Sequence, residues 1–393
     1  LYNVVDRIYI GRIPKVGTLA LTGVGLCFPI ISLITAFTYL FGNGGAPLCA
    51  MERGKGDDRE AENLMGNAFT LLLSTGLFLT VLGLLIYRPV LYLFGASDTT
   101  FPYAGAYIQI YLLGTVFVMV SVGMNPFINS QGFGNIGMFS VLIGALLNIV
   151  LDPIFIFALG MGVRGAAVAT IISQFFSAVW VMRFLTGDKA VLRLKKSCMR
   201  LKAFRVKKII GLGSSSFIMA FTNSLVQVVC NATLQLHGGD IYVGVMTVLN
   251  SVRDICTLPV QGITNGASPV MSFNYGERAY EKVKKAIYFL TVLCVTYTLL
   301  VWGILKLFPE FFIRIFDASP TMLEKGVPAL HIYFFGFCFM ALQFTGQSVF
   351  LALGKAKSAI FFSLLRKAFI VVPLTLLLPD VAGLGVDGVF WAE

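Results

Sequence analysis

Long apolar runs return along the whole chain, broken by short clusters of Gly, Pro and charge, and no other feature constrains its fold as much. Hydrocarbon offers no water to pair backbone N–H and C=O groups, so an apolar run of about 20 residues crosses a membrane as a helix. Twelve candidate spans fall near 1–12, 19–42, 64–87, 102–123, 134–158, 163–185, 209–235, 241–270, 286–308, 327–350, 358–378 and 384–393. The first and last are too short to cross alone. Composition agrees, since 57% of the 393 residues are hydrophobic and only 12% charged, against about 25% charged in a soluble domain. That excludes an ordinary cytosolic enzyme, a disordered chain and a collagen. The seven cysteines (Cys27, Cys49, Cys198, Cys230, Cys256, Cys294 and Cys338) are scattered without a CxxC pair. They read as small core residues rather than a disulfide framework or a zinc site. Two histidines, His237 and His331, are too few for a histidine-rich metal centre. The chain reads as an all-α polytopic membrane protein.

The 30 Lys and Arg orient it. Loops after even-numbered spans carry nineteen of them: Arg53, Lys55 and Arg59; ten between Arg183 and Lys208; Arg278, Lys282, Lys284 and Lys285; Lys355 and Lys357. Loops after odd-numbered spans carry only Arg12, Lys15, Arg88, Arg164, Lys306, Arg314 and Lys325. Arg7, Arg253, Arg366 and Lys367 fall inside spans. Positive charge stays on the cytoplasmic side, which places the even-numbered loops and both termini there. The net charge of +11 is therefore a topology signal before it is a nucleic-acid signal. Most of it sits in the linker before span seven, which also suits contact with anionic lipid.

An offset of 222 positions superposes the two halves: Pro47 on Pro269, Gly54 on Gly276, Phe94-Gly-Ala-Ser97 on Phe316-Asp-Ala-Ser319, and Ile110-Tyr111-x-x-Gly114-x-x-Phe117 on Ile332-Tyr333-x-x-Gly336-x-x-Phe339. With small indels Pro153 meets Pro373, and the Gly-Met-Gly-Val-Arg-Gly loop at 160–165 meets Gly-Leu-Gly-Val-Asp-Gly at 383–388. Matched loop residues in one register mark a duplication. Six spans per half is an even number, so the repeat is parallel. The expected organisation is an amino-terminal six-helix lobe (1–185), a basic cytoplasmic linker (186–208) and a carboxy-terminal lobe (209–393). By the same register, roughly 14 residues of span one and roughly 15 of span twelve are expected to lie beyond the ends of this sequence.

Only Asp6, Asp152 and Asp254 fall among the apolar residues of spans; the other acids lie in or beside loops. A charge at bilayer depth costs at least ~2.5 kcal/mol on the insertion scale, so each needs a function or a partner. Asn148 and Asp152 are i and i+4, on one helix face, and Pro153 frees the carbonyl of Ile149. A carboxylate, an amide oxygen and a free carbonyl are hard oxygen ligands for Na+, or a proton site; a kinked helix with a neutral Asp is the plainer reading. Asp6, Asp152 and Thr170 all lie about 10 Å below the outer surface at 1.5 Å per helical residue, close enough in depth to share one site. Asp6 is followed by Arg7, a local charge compensation that does not pair easily along a helix. Asp254 near the midplane is a candidate second acid, or a structural partner of Arg366 or Lys367. Asn223, Gln227, Asn231 and Gln235 form an i+4 polar ladder that lines a cavity or bonds between helices. Asn125, before Pro126, and Gln174 are further candidates for a substrate cavity.

Asn3-Val-Val-Asp6-Arg-Ile-Tyr-Ile-Gly11, Gly54-Lys-Gly-Asp57, Asn148-x-x-x-Asp152-Pro-x-Phe, Gly165-Ala-Ala-x-Ala-Thr170 and Ser272-Phe-Asn-Tyr-Gly276 together resemble multidrug and toxic compound extrusion (MATE) transporters, closest to their bacterial MepA-like branch. The resemblance runs over essentially the whole chain. It implies a twelve-helix, two-lobed, V-shaped antiporter in a bacterial cytoplasmic membrane, exporting amphipathic, often cationic drugs in exchange for Na+ or H+. It further implies a monomer with small-molecule substrates and lipid contacts, no nucleic acid, and no cofactor beyond the coupling ion. Prokaryotic members use a span-one Asp, a span-five Asn and Asp four apart, and a span-six Thr; Asp6, Asn148, Asp152 and Thr170 fill those positions. Some members add a Glu in span seven and an Asp in span ten, and neither is present, which disfavours a cation site of that kind in the second lobe.

Three other classes fit the residues less well: a major-facilitator-type carrier is also 6+6 and parallel, but the loop Glu52-Arg-Gly-Lys-Gly-Asp-Asp-Arg lacks that family's Gly-x-x-x-Asp-Arg-x-Gly-Arg-Arg pattern. A lipid-linked oligosaccharide flippase shares the architecture but needs a cationic cavity for a pyrophosphate, and the buried cations are few and accompanied by acids. A membrane enzyme would carry clustered His, Cys or acidic motifs such as DDxxD or HExxH, which are absent. Asp57-Asp58 reads instead as a solvated turn and helix cap.

Overall fold

The computed structural model describes all residues except 1–5, 7, 8, 11, 12, 14, 15, 95, 315–319 and 382. Side chains at 17–19, 21, 22, 224 and 240 also stay out of account. Arg7, Arg12, Lys15, most of the Asn3–Gly11 motif and the 316–319 member of the repeat thus lie outside the described residues.

Among those residues helices are joined by short turns and loops, and none forms a strand. In chain order they form α1 (Gly17–Leu26), α2 (Phe28–Gly54), α3 (Asp58–Leu93), α4 (Phe101–Leu113), α5 (Thr115–Asn129), α6 (Gly134–Ala158), α7 (Val163–Thr186), α8 (Ala203–Gly239), α9 (Ile241–Gly276), α10 (Tyr280–Leu307), α11 (Pro309–Arg314), α12 (Pro320–Tyr333), α13 (Phe337–Ala352), α14 (Ala356–Val381) and α15 (Val386–Ala392). Among the described residues seven helices are long and apolar enough to cross a membrane, and nine spans result when α4–α5 and α12–α13 each count as one. The remaining three of twelve are the first span, largely outside the described residues, the span broken at Cys27 between α1 and α2, and the short α15.

The helices cluster into two compact units, Leu1–Ser216 and Phe217–Glu393. The duplication is written into the backbone of both. α4 and α5 bend by 57° at Gly114, and α12 and α13 by 52° just beyond Tyr333, where Gly336 stands at the matching position. Residues with φ in the left-handed region recur in register: Gly56 (84°) with Arg278 (62°), Gly132 (91°) with Gly354 (71°), Gly160 with Gly383 (both 63°), and Gly162 with Gly385 (both 56°). Such loop conformations favour glycine, so the repeat conserves the turns even where the side chains have diverged. Arg278 is the one described non-glycine residue among them.

In the first unit the start of α3 is capped by Asp57, whose carboxylate accepts the Glu60 N–H at 2.9 Å, as the acidic turn predicts. The basic linker folds onto this end of α3. Asn67 donates to the carbonyls of Cys198 and Arg200 and accepts the N–H of Lys202, while Lys195 pairs with Glu62 at 2.8 Å. Arg205 forks onto Glu60, with Nε 2.8 Å from Oε1. Gly213 of α8 lies so close to α2 that a Cβ there would overlap the carbonyl of Leu40. All seven cysteines are free thiols, six of them buried, consistent with their reading as small core residues.

Candidate functional site

The first unit gathers four separated polar residues into one buried cluster. Asn148 and Asp152 share a face of α6 and are 0% exposed; Asp6 is 1% and Thr170 2% exposed. The Asn148 amide nitrogen is the hub, lying 3.2 Å from Asp6 Oδ1, 3.1 Å from Asp152 Oδ1 and 3.4 Å from Thr170 Oγ1. Thr170 donates to Asp6 Oδ2 at 2.9 Å. Tyr107 of α4 donates to the same oxygen at 2.7 Å. Tyr107, in the apolar run of span four, carries no such signal in the sequence.

Local structure explains the convergence. After Pro153, α6 widens into a π-helical turn at Ile154–Ala158, a feature common near functional sites. α7 approaches this turn because Gly165 has no side chain; a Cβ there would lie 2.6 Å from the Phe155 carbonyl. The close approach brings Thr170, one and a half turns along α7, opposite Asp152 and Asp6.

Two oxygens in the cluster, Asn148 Oδ1 and Asp152 Oδ2, are buried and accept no hydrogen bond. Buried acceptors are rarely left so, because desolvation then goes uncompensated. Among the described residues no Lys, Arg or His forms an ion pair with Asp6 or Asp152. Two carboxylates, an amide oxygen and a hydroxyl form a hard-oxygen set that a proton or an alkali cation would complete.

The other candidates lie elsewhere. Asn125 donates to the Gly137 carbonyl at 2.8 Å and to Ser140 Oγ, and Gln174 accepts from Ser121 Oγ at 2.6 Å, so both are engaged in contacts between helices. Asn223 and Gln227 are exposed on α8, whereas Asn231 is half-buried with its Oδ1 unpaired. Asp254 keeps a 75% exposed side chain 3.9 Å from Arg253, and the suggested pairing with Arg366 or Lys367 does not form.

The second unit holds a different polar centre at the matching register. Glu393 stands where Thr170 stands in the first half, and Tyr333 where Tyr111 stands. Arg253 donates to Glu393 Oε1 at 2.8 Å and to the Tyr333 hydroxyl at 2.6 Å, and Tyr333 donates to Asn250 at 2.9 Å. A tethered guanidinium therefore holds one oxygen of this carboxylate while Oε2 stays buried and unpaired, whereas no described cation pairs with the acids of the first unit. Glu393 went unremarked in the sequence because it lies at the edge of the last apolar run; the repeat register was the signal that could have found it.

Two duplicated helical units with membrane-length apolar helices and a buried carboxylate cluster define a polytopic membrane protein of the transporter class. The MatE family model matches residues 1–154 and 215–377, and the chain belongs to this multidrug and toxic compound extrusion family. It is 22% identical over 398 residues to the multidrug export protein MepA of Staphylococcus haemolyticus (strain JCSC1435) and 20% identical over 395 residues to that of Staphylococcus aureus (strain N315). Both comparisons cover 100% of this chain and 85% of the relative. Among solved structures, it matches a MOP superfamily transporter from Pyrococcus furiosus Vc1 (DSM3638), described as having a binding pocket of reverse polarity, with TM-score 0.93 and 24% identity. It matches an outward-facing multidrug resistance MATE transporter with TM-score 0.93 and 23% identity. Each match covers 100% of this chain and 87% of the other, and shows the shared fold.

Proposed function

We propose that the chain is a secondary active antiporter that exports amphipathic, often cationic drugs or toxic compounds in exchange for Na+ or H+ by alternating access. The observation that carries this reading is the buried Asp6–Asn148–Asp152–Thr170 cluster with two unpaired acceptor oxygens. The drug-export names of the MepA relatives supply the substrate class. Both termini face the cytoplasm, by the loop charge asymmetry.

In this mechanism a cation or proton entering the cluster offsets one negative charge of the facing carboxylates and favours one packing of the amino-terminal lobe. Emptying the cluster restores repulsion between them and favours the other. Coupling requires the drug to bind less well when the cation is bound, and linkage makes the effect reciprocal. Tyr107 and Thr170 hold Asp6 in place for both states. The test is ethidium transport by the full-length protein in everted vesicles, driven first by a Na+ gradient and then by a pH gradient. One gradient alone should drive uptake; ethidium movement that follows neither would refute antiport.

A further inference from the structure

The second unit contains a cavity of about 320 Å³ between α13 and α14, within the size range of small-molecule sites. Three buried polar atoms without a partner belong to residues lining it: Gln343 Oε1, Gln347 Nε2 and Ser363 Oγ. Ser363 is only 2% exposed. Gln343 and Gln347 lie one turn apart on α13; Ser363 and Arg366 lie one turn apart on α14, so each helix presents a short polar edge. Phe350 and Phe362 add a flat apolar wall, their rings stacked with centroids 5.5 Å apart and planes inclined by 5°.

Arg366 gives the cavity its sign. It sits in the π-helical turn Leu365–Val371, lines the cavity and forms no ion pair or hydrogen bond among the described residues. Lys367 beside it forms none either. The carboxylate of Glu393 is near enough for its charge to act on Arg366, but its ion pair is with Arg253. A half-buried guanidinium with no hydrogen-bond partner of its own can take an anion, and its planar fork suits a carboxylate or a similar oxyanion.

We propose that this cavity binds an amphipathic organic anion, its negative headgroup on Arg366 and its apolar body against Phe350 and Phe362. Ser363 and Gln347 donate further hydrogen bonds to the headgroup, and Gln343 accepts one from a hydroxyl or amide on the ligand. The inference concerns binding in the carboxy-terminal lobe and does not depend on which ion couples to the amino-terminal lobe. The headgroup chemistry is shared by bilayer-derived fatty acids and by aromatic carboxylates from the aqueous phase.

The probe is radiolabelled 2-naphthoate, with binding to the full-length detergent-solubilised protein read by scintillation proximity. Saturable binding is expected. Arg366→Gln should weaken it roughly 10- to 100-fold, as loss of a charge-assisted hydrogen bond does, while Arg366→Lys retains part of it. Ser363→Ala should give a smaller loss, and Arg314→Gln, an exposed cation paired with Glu310, none. Laurate competing with naphthoate would extend the site to acyl anions of the bilayer; laurate failing to compete would restrict it to compact aromatic anions. Elution and melting profiles matching wild type show that each variant is folded. Equal naphthoate affinity in wild type and a folded Arg366→Gln variant would overturn the proposal. So would equally tight binding of the cationic analogue 2-naphthylmethylammonium.

Discussion

Thr170 contributes a single hydroxyl to the cluster, and its bond to Asp6 is one of three that fix that carboxylate. Thr170→Val keeps the shape and removes the donor, at a cost of about 1 kcal/mol within a membrane. We expect a folded protein with coupled transport weakened several-fold, measured as the ion concentration giving half-maximal ethidium exchange. Tyr107→Phe should act in the same direction; an unchanged half-maximal concentration in both variants would remove these two residues from the site. At Arg278 the backbone itself is strained. Its φ of 62° is unfavourable for a residue with a Cβ, and its repeat mate is Gly56. Arg278→Gly should therefore leave the melting temperature equal or raise it slightly, against the usual direction for a glycine introduced into a protein. Depth and i+4 spacing were enough to bring Asp6, Asn148, Asp152 and Thr170 together from the sequence. Tyr107 escaped because a tyrosine in an apolar run looks like ordinary packing until its hydroxyl finds a partner.

At the scale of helices, apolar runs located the spans but not their ends or bends. The run at 64–87 belongs to a helix covering Asp58–Leu93, because hydropathy marks only the hydrocarbon-facing part while the backbone ladder continues into the charged turns at either end. The run at 102–123 contains the 57° bend between α4 and α5, invisible to hydropathy because Gly114 is itself apolar in composition. Close approach of helices depends on single missing side chains. Gly213→Val would drive a methyl-bearing carbon into the Leu40 carbonyl, and we expect it to cost several kcal/mol, seen as loss of the monodisperse detergent-solubilised protein. Gly211→Val, two residues away where a Cβ meets nothing, should be tolerated.

At the scale of the whole molecule, the duplication was legible in loop residues, and the paired left-handed turns give it a conformational basis. The two halves nevertheless diverge in their polar centres. Among the described residues the acids of one have no cationic partner, and the other ties its carboxylate to Arg253. Side-chain pairing across helices decided that difference, and span-by-span reading could not see it. The charge asymmetry makes a separate prediction: a single cysteine at Lys357, in a background freed of native cysteines, should react with an impermeant maleimide only from the cytoplasmic side. The central claim is that the Asp6–Asp152 cluster couples ion to drug movement. Its most direct test is gradient-driven ethidium transport by full-length Asp152→Asn in everted vesicles, with ethidium binding measured in parallel. The account predicts that binding persists while transport against a gradient is lost; uphill transport at the wild-type rate would contradict it.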